Sequence, residues 1–312
     1  MNVLVTGGAG FLGSWLCEKL VQKKYNVYCL DNLSSGKTTN IDSLRKEKNF
    51  EFIRHDIISP FGTEEKFDII YHLACPAAPF QYQKTPVNTL LTNSAGSLNV
   101  LELARKNDCP VFISSTSEVY GDPDIVPTPE THRGYVSPIG IRSCYDEGKR
   151  YSEALFKAYE RQYGIDTRIV RIFNTYGPKI RGDGMYGRVI PNFIRQVLKN
   201  EDITIYGDGN QTRSFCYVED LIRAFILVGE SEIARGEIFN IGNPHEITVN
   251  ELADTMIEIT GAKSKKIHLP LPEDDPKRRC PDINKITQTF GWKPEVSLKE
   301  GLQRTIEWIK TN

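Results

Sequence analysis

The sequence predicts an α/β fold: a doubly wound parallel sheet with a smaller α/β domain toward the C-terminus. Three observations predict it. Short β-branched and aromatic runs alternate with helical stretches through the first half of the chain. Several of those runs are apolar without polar alternation, as strands covered on both faces are. The first run is joined to the first helical stretch by a turn containing Gly7, Gly8, Gly10 and Gly13.

Taken in order, the strand-like runs are Asn2–Thr6, Asn26–Leu30, Phe50–Arg54, Ile69–Leu73, Val111–Ser115 and Thr167–Phe173. The helical stretches between them are Phe11–Lys23, Val87–Lys106 and Ser143–Tyr163. After Asn174 the texture changes. Glycine and proline become frequent from Tyr176 to Gly187, and helices dominate afterwards. Two helix starts there carry capping-box spacing, Thr248 with Glu251 and Ser297 with Glu300. The second precedes the apolar stripe Leu298, Leu302, Ile306 and Ile309. This divides the chain into a dinucleotide-binding domain, 1–175, and a substrate domain, 176–312. Residues 214–243 return to the first domain through the strand-like run Glu237–Ile241.

The 312 residues are 39% hydrophobic and 25% charged, with a net charge of -1. That balance belongs to a globular protein and gives no electrostatic reason to expect nucleic acid or an anionic membrane as partner. The seven cysteines are scattered and none forms C-x-x-C, and the five histidines lack metal-ligand spacing. Reduced thiols in a cytoplasmic protein with no metal site are expected. No signal-peptide pattern and no membrane-spanning run is read in the chain.

The turn VLVTGGAGFLG fits Gly8-x-Gly10-x-x-Gly13 in the strand-turn-helix context that a dinucleotide site requires. Missing side chains let the backbone approach a pyrophosphate, which then meets the helix N-terminus. Asp31 follows at the end of the second strand, where a carboxylate accepts hydrogen bonds from an adenosine ribose and repels the extra phosphate of NADP. NAD is therefore the expected cofactor. Asp56, after the third strand, stands where it would meet the adenine, or equally is a solvated acid at a strand end.

Tyr145 and Lys149 lie four apart at the start of a helical stretch and so share one face. A tyrosine of pKa about 10 is a poor base at neutral pH. A nearby ammonium and a cationic nicotinamide both favour the phenolate, which can then take a proton from an alcohol as hydride leaves. Four hydroxyls and an acid, Ser114 to Ser117 and Glu118, stand where the apolar run Val111–Ile113 ends.

With TGGAGFLG, that hydroxyl cluster, Tyr145-x-x-x-Lys149 and RIFNTYGP at 171 to 178, the chain resembles the extended short-chain dehydrogenase/reductase family over nearly its whole length. The stretches HLACPAAPFQY, STSEVYGDP, PIGIRSCYDEGKR, YGDGNQTRSFCYVEDL and DDPKRRCPDI are similar to its UDP-glucuronate decarboxylase branch. Cys75, Ile141 and Cys280 depart from the usual serine, proline and lysine.

The resemblance implies a Rossmann domain holding NAD through Gly7, Gly10, Phe11, Leu12, Gly13, Asp31, Asn32, Asp56, Ile57, Leu73, Ala74, Tyr145 and Lys149. It implies a UDP-sugar substrate and a homodimer. It places Thr116 on the sugar 4-OH beside Tyr145, with Ser117 and Glu118 near C5. It puts Arg279, two before Pro281, on the substrate carboxylate, where a guanidinium binds in a planar, bidentate way. Tyr82, Asn174, Arg188, Tyr206, Gln211 and Arg213 are implied in substrate binding.

Decarboxylation through a 4-keto sugar is the activity so implied, with 4,6-dehydration or 4-epimerisation as the alternative. Glu118 speaks against the epimerases, which usually carry a small uncharged residue there. Ser117 speaks against many dehydratases, which carry an aspartate. Arg279 is expected to separate the decarboxylase from both, on the view that neither relative has a carboxylate to recognise.

Overall fold

The computed structural model describes residues 1–181, 188–270 and 278–311. Asp274–Lys277 of the DDPKRRCPDI stretch and the end of the glycine-rich stretch, 182–187, lie outside the described residues. The chain forms two compact units. The first comprises Met1–Val119, Val136–Arg171 and Ile222–Phe239, and the second comprises Tyr120–Tyr135, Ile172–Leu221 and Asn240–Asn312.

The first unit runs β1 (Asn2–Thr6), α1 (Phe11–Gln22), β2 (Asn26–Asp31), β3 (Phe50–Arg54), β4 (Ile69–His72), α2 (Pro79–Lys84), α3 (Pro86–Leu91), α4 (Ser97–Asn107), β5 (Val111–Thr116), α5 (Ser143–Tyr163) and β6 (Thr167–Ile172). The second begins with β7 (Thr175–Tyr176), α6 (Val189–Leu198), β8 (Ile203–Tyr206), β9 (Thr212–Ser214) and β10 (Cys216–Tyr217). Most of helix α7 (Val218–Glu230) and the start of β11 (Ile238–Ile241) belong to the first unit; the second continues with β12 (Glu246–Thr248), α8 (Val249–Thr260), β13 (Lys266–Leu269), β14 (Arg278–Arg279), α9 (Asn284–Phe290) and α10 (Leu298–Thr311).

Seven strands form one parallel sheet in the order β11-β6-β5-β4-β1-β2-β3. β1 is flanked in parallel by β2 and β4, so the strand order reverses between β1 and β4. In open α/β sheets the crevice beyond the strand ends at such a reversal is where ligands bind. The apolar runs explain the burial: Val3, Leu4 and Val5 are fully buried, as are Ile70 and Tyr71. One face packs Leu4, Ile70, Val111 and Ile113 with Val100 and Leu101 of α4 and Phe156 of α5. The run near Glu237 joins the sheet; the Ile169 N–H donates to the Glu237 carbonyl at 3.0 Å.

The helix expected over Val87–Lys106 is not continuous. α3 passes into a π-helical turn at Thr92–Gly96 before α4. The cause is local. Side chains of Thr89, Thr92, Asn93 and Ser94 donate to the carbonyls four residues back, at 2.7 to 3.0 Å. Such back-bonding competes with the backbone ladder and bends it. Gly96 ends the turn against Ile57, whose Cγ2 a Cβ there would meet at 2.9 Å.

In the second unit, β9 pairs antiparallel with β12 and parallel with β14. β8 pairs in parallel with β13. The capping box at Thr248 and Glu251 forms as the spacing predicts, and the Glu300 N–H donates to Ser297 Oγ. Among the described residues no helix is long and apolar enough to cross a membrane.

Candidate active site

The glycine turn is shaped by contacts that exclude side chains. Gly7 has φ +71°, and a Cβ on it would lie 2.8 Å from the Ala74 backbone. A Cβ on Gly13 would lie 2.1 Å from the Gly7 carbonyl oxygen. The turn therefore sits directly against α1 and against Leu73 and Ala74 at the end of β4. Gly10 precedes α1 without a side-chain cap, and the first turn holds no acidic residue. The first N–H groups of α1 thus meet no capping side chain and no acid from the turn itself, as a phosphate site requires. These observations fit a dinucleotide pyrophosphate.

Asp31 ends β2 almost fully buried. Its carboxylate accepts from the Ala9 N–H at 3.0 Å and the Leu33 N–H at 2.7 Å. Burial pushes its pKa up, and the two N–H groups oppose that. This acid ties the glycine turn to β2, a role not read from the sequence. Asp56 accepts from Asn32 Nδ2 and from the Ile58 N–H, each at 3.0 Å. Ile57 belongs to the core cluster beneath.

The four hydroxyls after Ile113 divide by strand alternation. Ser115 donates to Glu153 Oε1 at 2.5 Å, and Glu153 in turn holds Arg171 of β6 at 2.7 Å. Ser115 is thus a structural link among β5, α5 and β6. The Ser114 carbonyl accepts from Lys149 Nζ at 2.8 Å, and its hydroxyl reaches the His72 carbonyl. Thr116 Oγ1 accepts from the Glu118 N–H at 3.2 Å. Ser117 is buried beside it.

Tyr145 and Lys149 are both buried on the inner face of α5. The Tyr145 ring lies flat on Tyr82, 4.9 Å between centroids and 6° between planes. Such a pair contributes about 0.5–1.5 kcal/mol beyond area burial and fixes the phenol's orientation. Tyr82 itself is only 1% exposed and packs on Tyr145. Beneath them His72 lies 2.8 Å from Thr6 Oγ1. Burial, with Lys149 adding, pushes its pKa down to about 3, so it is neutral. The π-helical turn supports the same region: Asn93 donates to Cys75 Sγ at 3.3 Å, and its carbonyl accepts from Ser152 Oγ of α5 at 2.7 Å.

Sequence reasoning missed Arg142. Its guanidinium pairs with the Glu118 carboxylate. A signal was present, because Arg142, Tyr145, Asp146 and Lys149 follow i, i+3, i+4, i+7 and so form one polar stripe along a helix face.

In the second unit the β9–β14 register sets Arg213 directly beside Arg279. On the neighbouring positions Glu246 answers Arg278 at 2.5 Å and accepts from Thr212. Gln211 Nε2 donates to the Tyr206 carbonyl at 2.7 Å, holding the turn between β8 and β9. The Asn174 carbonyl accepts from the Cys216 N–H. Arg188 is exposed at the start of α6.

Residues 3–242 match the model of the NAD dependent epimerase/dehydratase family. The chain is 48% identical over 303 residues to UDP-glucuronic acid decarboxylase 3 of Arabidopsis thaliana, covering 97% of this chain and 87% of that protein. The structure of UDP-glucose 4-epimerase from Thermotoga maritima with UDP-glucose aligns with a TM-score of 0.89 at 33% identity, covering 100% of this chain and 99% of that one. UDP-glucuronic acid 4-epimerase from Bacillus cereus, in complex with UDP-glucuronic acid and NAD, aligns with a TM-score of 0.88 at 30% identity, covering 100% and 99%.

Proposed function

The chain belongs to the NAD-dependent epimerase/dehydratase family, and we propose that within it this protein converts UDP-glucuronate to UDP-xylose and CO₂ through a 4-keto sugar. The observation that carries the choice is the 48% identity to a UDP-glucuronic acid decarboxylase along almost the whole chain, against 33% and 30% for the two epimerases. The expectation for Arg279 needs correction. A carboxylate-binding Arg279 does not separate a decarboxylase from every epimerase, because the Bacillus cereus epimerase binds UDP-glucuronic acid. Glu118 keeps its weight against that alternative.

The glycine turn, the α1 N-terminus and Asp31 would hold NAD, with Leu73 and Ala74 lining it and Lys149 on its second ribose. NAD held there would supply the hydride acceptor for C4 of the sugar and the donor for its later reduction. Tyr145 takes the 4-OH proton, leaving a carbonyl β to the carboxylate into which the electrons of the breaking C5–carboxylate bond move. Lys149, buried beside the Ser114 carbonyl, supplies the positive charge that favours the phenolate. Thr116 holds the sugar 4-OH. Ser117 and Glu118 manage the proton that C5 gains. Arg279 takes the substrate carboxylate. Arg213, Gln211, Asn174 and Arg188 hold the UDP phosphates and uridine, and Tyr206 packs on the base.

The protein works as a cytoplasmic homodimer in this reading. Free thiols at all seven cysteines support the compartment. Exposed Val87, Leu90, Leu91 and Leu98 on α3 and α4, with Tyr151 on α5, support the dimer.

The test is incubation of the holoenzyme with UDP-glucuronate and separately with UDP-glucose. CO₂ and a UDP-pentose in equal amounts are expected from the first. A UDP-hexuronate epimer without CO₂, or a 4-keto-6-deoxy sugar from UDP-glucose, overturns the assignment.

A further inference from the structure

Arg142 stands immediately before α5, three residues ahead of Tyr145. Its Nη2 pairs with Glu118 Oε2, and its Nε lies 3.7 Å from Asp146 Oδ2. The side chains of Arg142, Glu118 and Asp146 are 23%, 16% and 10% exposed. This is not a solvated surface pair of the kind that contributes little. Asp146 is the unusual member, because its Oδ1 is buried and has no hydrogen-bond partner among the described residues. Burial pushes its pKa up to about 6; Arg142 opposes that and Glu147 adds to it. On α5 the titratable groups Cys144, Tyr145, Glu147 and Lys149 lie within three residues of it. From the turn that follows β5, Glu118 is linked to Asp146 through Arg142.

We propose that Arg142 is a positioning residue for Glu118. It fixes the carboxylate at the end of β5 in its ionised form, and Asp146 competes for the same guanidinium. The inference rests on the reading of Glu118 as the group that manages the C5 proton. With Asp146 protonated the trio is neutral, and Arg142 serves Glu118 alone. With Asp146 ionised the trio carries one net negative charge, the guanidinium is shared, and a substrate carboxylate approaching Glu118 meets repulsion.

Three variants test this, Arg142→Ala, Arg142→Lys and Asp146→Asn, followed in single turnovers with UDP-glucuronate. Arg142→Ala should keep KM and the rates of NADH absorbance growth and CO₂ release within about threefold, yet slow NADH decay and UDP-xylose formation by roughly 100-fold, the lower range for a displaced acid–base group. Arg142→Lys should recover about tenfold of that loss. Asp146→Asn should match wild type at pH 5 and show a severalfold lower KM at pH 8, as expected for one unit charge removed near the site. Equal slowing of both steps by Arg142→Ala, a rise in KM alone, or no rescue by lysine would overturn the proposal.

A second readout needs no turnover. The infrared band of the Glu118 carboxylate, isolated as wild type minus Glu118→Gln, should persist to lower pH in wild type than in Arg142→Ala. The same midpoint in both would overturn the pairing, even in an enzyme that decarboxylates. Absence of CO₂ from the wild type with this infrared shift intact would instead defeat the assigned reaction.

Discussion

Replacing Gly13 by alanine is the sharpest steric test of the dinucleotide turn. The added Cβ would lie 2.1 Å from the Gly7 carbonyl oxygen, 2.7 Å from Gly8 Cα and 2.9 Å from the Gly7 carbonyl carbon. All three neighbours are backbone, so none can rotate away. Restoring ordinary contact needs about 1 Å of separation between the turn and α1, on the scale of the overpacking that costs about 1–3 kcal/mol. Alanine's better helix propensity offsets about 1 kcal/mol of this, so stability should fall by no more than about 2 kcal/mol. Ligand binding should suffer more, because the turn also carries the Gly10 N–H to Gly7 carbonyl bond at 3.1 Å. Losing one charge-assisted hydrogen bond to a phosphate costs about 1.5–3 kcal/mol, or roughly 10- to 150-fold in NAD affinity. Isothermal titration of the stripped protein with NAD measures this, with thermal melts alongside. A Cβ on Gly62 would meet nothing within 4 Å, so Gly62→Ala provides the control and should change neither quantity. Wild-type NAD affinity in Gly13→Ala would refute the packing argument.

Asp146→Asn should stabilise the fold at neutral pH. The native carboxyl titrates near 6, above its ordinary value of 3.8. Between those values the folded state holds a proton that the unfolded chain has released, so stability falls as pH rises through that window. The variant should gain up to about 3 kcal/mol at pH 7.5 and little at pH 3.5 in urea melts, and an unchanged difference across pH would contradict the burial argument. Tyr145→Phe keeps the ring on Tyr82 but removes the proposed base. Turnover should fall by about 10²- to 10⁴-fold with UDP-sugar affinity intact, and near-normal turnover would assign the base elsewhere. Arg279→Ala should weaken UDP-glucuronate binding by roughly tenfold or more and leave UDP-glucose binding little changed, whereas equal losses would place the guanidinium on the nucleotide.

The sheet was legible because its strands are apolar runs whose period and length leave little choice, and because the glycine turn fixes where β1 ends. Boundaries of β1, β3 and α5 match the sequence reading to the residue. The π-helical turn at Thr92–Gly96 was not legible. It depends on side chains bonding back to carbonyls and on Ile57 crowding Gly96, neither of which hydrophobic periodicity reports. The hydroxyl cluster read as one feature, and strand alternation splits it: Ser115 faces Glu153 and Arg171, while Ser114 meets Lys149 through its carbonyl. Arg142 was missed, although its spacing continues the polar stripe of Tyr145, Asp146 and Lys149 one position ahead of α5. Its pairing with Glu118 was not legible, since 24 residues separate the two in the chain.

The central claim is that the sugar is oxidised at C4, loses its carboxylate and is reduced again by the same hydride. The most direct measurement follows UDP-[4-²H]glucuronate in ordinary water, and unlabelled UDP-glucuronate in ²H₂O, by mass spectrometry and NMR of the product. The account predicts UDP-xylose that retains deuterium at C4 in the first case and gains one deuterium at C5 in the second, with no net NADH. Loss of the C4 label to solvent or to free cofactor, or a product that keeps its carboxylate, would contradict it.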